Sequence, residues 1–114
     1  INPGAQLQQA DDTKRKSDIN AILNGVNQWM VNNNGQLPAG VGGTAVAISN
    51  TNVNLCTILV PDYMAALPQD PASNAGADIT NCATFDTGYE IQSSNSRITI
   101  IAPDANGGAI QVTR

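Results

Sequence analysis

Between residues 6 and 33 the apolar side chains Ile19, Ile22, Leu23, Val26, Trp29 and Met30 recur at steps of three and four. That spacing places them on one face of an α-helix. No proline interrupts the stretch. Before Ile19 the stripe thins to Leu7 and Ala10, among polar and charged neighbours. The second half of the helix is therefore expected to pack on its own domain, and the first half to project. At 1.5 Å per residue the helix spans about 40 Å.

The ends of this helix are marked. Pro3-Gly4 suits a helix start or kink. Asn32-Asn-Asn-Gly35 offers residues that tolerate the left-handed conformation of a C-terminal cap, and Pro38 blocks continuation. Residues 39–54 are rich in Gly, Asn, Thr and Ser around a short apolar run from Val46 to Ile48, which reads as a loop with room for one strand. Pro61 is placed to open a helical turn over residues 62–67, closed by Pro68.

In the last third the period changes to two. Residues 88–92, 97–102 and 109–113 alternate apolar and polar, the pattern of half-buried strands. Residues 93–96 and 104–108 supply turn-forming Ser, Asn, Asp and Gly. The expected fold is α+β: a long N-terminal helix on a small antiparallel sheet of three strands, or four if Val46 to Ile48 joins. One domain covers residues 1–114, divided into helix (1–34), connecting region (35–84) and sheet (85–114). Its core is expected to contain Ile19, Ile22, Leu23, Val26, Trp29, Tyr89, Ile91, Ile98, Ile100, Ile110 and Val112.

Composition narrows the function classes. Charged residues are 12% of the chain and the net charge is −4, so nucleic acid is not expected as a partner. The basic residues Lys14, Arg15 and Lys16 sit among Asp11, Asp12 and Asp18. There is no histidine, and no Gly-rich phosphate loop or nucleophile–base set stands out, so an enzyme is not expected. Cys56 and Cys82 lack the paired spacing of a zinc site. A disulfide is the simplest reading and implies an oxidising compartment; two buried free thiols are the alternative. No run of about 18 apolar residues is present to span a membrane.

Four pieces at this spacing resemble the type IV pilin and type II secretion pseudopilin superfamily. They are Asp12-x-x-Arg15-x-x-Asp18-Ile19-x-x-Ile22, Gly35-x-Leu-Pro38, Tyr63-x-x-x-Leu67-Pro-x-Asp-Pro71, and Gly88-Tyr89 with Ile98-Thr-Ile-Ile-Ala-Pro103. The resemblance covers nearly the whole chain. It departs from the family at Met30 and Leu37, where aromatic residues are common, and in a cysteine pair that does not close a C-terminal loop.

The resemblance implies a filament subunit at the cell surface, serving adhesion, motility or DNA uptake. Its partners would be copies of itself and the pilus or secretion assembly machinery. A precursor would carry roughly 25 further apolar helical residues upstream, anchoring it in the inner membrane before assembly. The membrane would be met only through that segment. A pseudopilin or minor pilin of a secretion or uptake machine is the alternative, and a secreted binding module is an alternative of another class.

The candidate subunit contacts are Leu7, Asp11, Asp12, Lys14, Arg15, Lys16 and Asp18. Asp11/Arg15, Asp12/Lys16 and Lys14/Asp18 are spaced for i,i+4 pairs worth about 0.2–0.5 kcal/mol each. No cofactor is implied. The loop aspartates Asp70, Asp78, Asp86 and Asp104 match no EF-hand spacing, so they are expected to cap turns rather than to bind calcium. Trp29, Tyr63 and Tyr89 could share an aromatic site, but Trp29 and Tyr89 are expected in the core.

Overall fold

A computed structural model describes residues 2–114. Helix α1 runs Pro3–Asn32, with Pro3 in its first turn and the Asn2 side chain accepting from the Ala5 N–H at its start. A proline there wastes no helical donor, because the first N–H groups have no intrahelical acceptor. At the other end the Gly35 N–H reaches back to the Met30 carbonyl at 2.8 Å, with Gly35 at φ +75°. The helix stops where the sequence supplies left-handed residues.

Four strands follow: β1 (Val46–Ser49), β2 (Asp86–Ser94), β3 (Arg97–Ala102) and β4 (Ile110–Thr113). They form an antiparallel meander in the order β1-β2-β3-β4. Between β2 and β3 the chain turns through Asn95 and Ser96, both at positive φ (53° and 64°). Two such residues give a turn whose twist matches that of the strands it joins. Pairing sets Ile91 opposite Ile100 and Ile100 opposite Val112, which puts these side chains on one face.

The second half of α1 covers that face. Ile19, Ile22, Leu23 and Val26 are buried together with Tyr89, Ile91, Ile98 and Ile100. Trp29, Ile110 and Val112 are half-buried at its margin and pack against it. The fold is thus the expected α+β arrangement, with β1 as fourth strand. In general shape, a long N-terminal helix on a four-stranded antiparallel sheet, it is pilin-like.

The connecting region differs from expectation in one respect. The short helix, α2, is Cys56–Leu59 and lies before Pro61 rather than after it. Leu55, Cys56 and Leu59 are apolar and buried, so the turn coils where it can reach the core. The Asn54 side chain accepts the Thr57 N–H at its start. A Cys56–Cys82 disulfide, with Cα atoms 5.5 Å apart, ties α2 to the segment that leads into β2. Among the described residues no helix is long and apolar enough to cross a membrane.

Candidate assembly surface

The first turns of α1 stand free of the sheet. Residues 3–10 are all exposed, and Leu7 keeps 67% of its surface. Lys16 is also exposed and Asp11 half-exposed. These three candidate contact residues lie where another molecule can reach them.

Arg15 and Asp18 do not, which corrects the expectation that they are available to a neighbour. Both are buried, at 3% and 8% exposure, inside a polar cluster that fastens α1 to its own domain. Arg15 donates from Nε and Nη2 to the two carboxylate oxygens of Asp70, at 2.9 and 3.1 Å, and from Nη1 to Asp12 at 2.9 Å. A planar guanidinium meeting a carboxylate through two parallel bonds is the strong, directional form of this pair. Asp70 also accepts the Ala72 N–H, while its own N–H donates to the Thr87 carbonyl.

Asp18 faces the sheet. It accepts the Tyr89 hydroxyl at 2.6 Å and the Lys14 ammonium at 2.6 Å. Lys14 reaches on to the Gln69 carbonyl at 2.8 Å. The expected Lys14–Asp18 pair is therefore present. Asp11/Arg15 and Asp12/Lys16 are not among the ion pairs of the described residues, because Arg15 turns inward to Asp70 and takes Asp12 with it.

On the far side, Asn106 in the β3–β4 turn donates to α1. Its N–H and Nδ2 reach Asp12 Oδ1 at 3.1 and 3.3 Å, and Nδ2 reaches the Gln8 carbonyl at 3.2 Å. Three separate segments, at residues 69–72, Tyr89 and Asn106, thus hold α1 just behind its exposed turns.

The electrostatics follow from these contacts. The Asn106 backbone N–H, with help from Arg15, holds the Asp12 carboxyl below its ordinary 3.8. Hydrogen bonding to Asp70 raises Arg15 further above its already high value. Burial, and then the bond to Asp18, pushes the Tyr89 hydroxyl well above its usual range. The charges of the cluster pair with one another, Arg15 and Asp70 buried and Lys14 and Asp12 partly open to solvent.

The loop aspartates divide. Asp70 is fully buried against Arg15. Asp86 accepts the Gly88 N–H, as a turn-capping aspartate does. Asp78, Asp86 and Asp104 border an open groove of about 930 Å³ with Ser49, Asn50 and Asn74. Among the described residues no three carboxylate or thiol groups converge as metal ligands would. The aromatic residues do not meet in one site. Tyr89 is in the core, while Trp29 borders a second groove with Leu37 and Ile58 at the far end of α1.

Sequence reasoning missed Asp70, Gln69 and Asn106 as partners of α1. The Arg15–Asp70 pair spans 55 positions, so no local spacing could signal it. No protein-family model, curated protein or solved structure matches the chain.

Proposed function

We propose that this chain is the globular part of a type IV pilin, a subunit that polymerises into a surface filament. The observation that carries the reading is the division of α1. Its rear half is locked to the sheet by an apolar stripe and a buried polar cluster, while residues 3–10 are exposed, the Gln8 carbonyl alone taking a hydrogen bond from Asn106. An amphipathic helix usually buries its apolar side chains at home; Leu7 does not. A firmly held helix with a bare front end suits a subunit whose neighbours supply the missing contacts.

The polar, weakly charged loops around β1 and before β2 would form the filament's outer skin. A net charge of −4 spread thinly over neutral amides and hydroxyls permits close packing of copies without strong repulsion. The open, neutral-to-acidic groove beside Asn50 and Asp78 favours a second reading, a secreted binding module for an uncharged or cationic ligand.

N-terminal sequencing and intact mass of the protein in surface material sheared from its source cells separates the readings. An abundant filament species extended upstream by roughly 25 apolar residues supports the pilin. The same extension on a scarce species indicates a minor pilin or pseudopilin. A soluble product beginning near Ile1 overturns the filament reading and leaves the binding module.

A further inference from the structure

Three Asn-Gly pairs occur in the chain, at Asn24-Gly25, Asn34-Gly35 and Asn106-Gly107. In such a pair the glycine nitrogen can attack the side-chain amide of the asparagine before it, because no Cβ restricts the backbone or shields that nitrogen. The fold treats the three pairs differently. Asn24 and Gly25 lie inside α1, where Gly25 is buried and helical geometry keeps its nitrogen in the hydrogen-bond ladder. The Gly35 N–H is engaged by the Met30 carbonyl at 2.8 Å. Asn106 and Gly107 sit in the exposed turn between β3 and β4, and the Gly107 N–H has no acceptor among the described residues. Gly107 has φ +76°, and nothing lies within 4 Å of the position a Cβ would take.

We propose that Asn106 is a site of spontaneous covalent modification that loosens the attachment of α1. The Gly107 nitrogen loses its proton to solvent base and bonds to Asn106 Cγ. The Cγ–Nδ2 bond then breaks, and ammonia leaves with a proton from water, closing a succinimide. A second water adds to either imide carbonyl and opens the ring to aspartate or isoaspartate. No oxidant or reductant takes part.

The consequence follows from what Asn106 now does. Its Nδ2 donates to the Gln8 carbonyl and to Asp12. Either product lacks the Nδ2 donor and carries an added negative charge close to Asp12. Isoaspartate also lengthens the main chain by one atom and displaces the N–H that Asp12 accepts. The β3–β4 turn lets go of α1 directly behind the exposed turns.

The test is peptide mapping of the purified full chain after storage in warm, mildly alkaline buffer, with isoaspartate detected by enzymatic methylation. Conversion is expected first at Asn106, ahead of Asn34 and Asn24, and at comparable rates for all three once the chain is denatured. Gly107→Ala should slow conversion on the order of tenfold by restoring a Cβ to the attacking residue. Asn106→Gln should abolish conversion at this position while keeping an amide donor. In Asn106→Asp, amide hydrogen exchange in the second and third turns of α1 should be faster than in the parent. Earlier conversion at Asn24 or Asn34 in the folded chain, or an unchanged rate in Gly107→Ala, overturns the site. Parental exchange in Asn106→Asp overturns its structural consequence.

Discussion

Arg15 and Asp70 face each other through two hydrogen bonds, 2.9 and 3.1 Å long, in a place where both side chains are buried. The pair joins the middle of α1 to the loop before β2, and it fixes that loop at the same time through Ala72 and Thr87. Breaking one side of such a pair leaves an uncompensated buried charge, whereas removing both charges does not. Asp70→Ala should therefore destabilise the fold by about 3–5 kcal/mol in chemical denaturation. The double variant Arg15→Met/Asp70→Leu should recover much of that loss. Equal losses in the two variants would show that the pair is not the source of the effect.

The Cys56–Cys82 bond closes a loop with a sequence separation of 26. In the chain-entropy treatment a loop of that length contributes about 3–4 kcal/mol by restricting the unfolded chain. Thermal unfolding with and without reductant, and of Cys56→Ala/Cys82→Ala, should show a loss of that size with the sheet retained.

Asp12 should report on the Asn106 contact through its acidity. Its carboxyl titrates below 3.8 in the folded chain, chiefly because it accepts the Asn106 N–H. A depressed folded value stabilises the fold above the unfolded value, and the benefit disappears as pH falls through the folded one. The β3–β4 turn should thus begin to release α1 only below about pH 4. Carboxyl NMR titration checks this, and in Asn106→Asp the Asp12 midpoint should move upward.

Gly88 stands in β2 at φ +79°, and a Cβ there would lie 2.8 Å from Asp70 Cβ. Gly88→Ala thus meets both an unfavourable backbone conformation and a contact with the residue that holds Arg15. A loss of about 1–3 kcal/mol is expected in urea denaturation, which is the range for strained backbone positions. Gly107→Ala, with positive φ but open space, should cost less.

Periodicity in the sequence is enough to identify α1 and three of the strands, although β3 departs from the expected half-buried alternation: Ile98 to Ala102 are all buried, so both of its faces are covered. The fourth strand was visible only as the short apolar run at Val46 to Ile48, since it is four residues long. The short helix was misplaced because Pro61 is a good first helical residue, while the burial of Leu55, Cys56 and Leu59 is a tertiary fact. The polar cluster reads from sequence as subunit contacts and i,i+4 pairs for a similar reason. Asp12, Lys14, Arg15 and Asp18 look like surface charges until Asp70, Tyr89 and Asn106 arrive from distant parts of the chain.

The filament reading is tested most directly by electron cryomicroscopy of surface filaments sheared from the source cells. Subunit density that fits this fold, with residues 3–10 of α1 and the Leu7 side chain enclosed by neighbouring subunits, is the predicted result. Recovery of the chain only as a soluble monomer, or filaments in which those residues remain open to solvent, would contradict it.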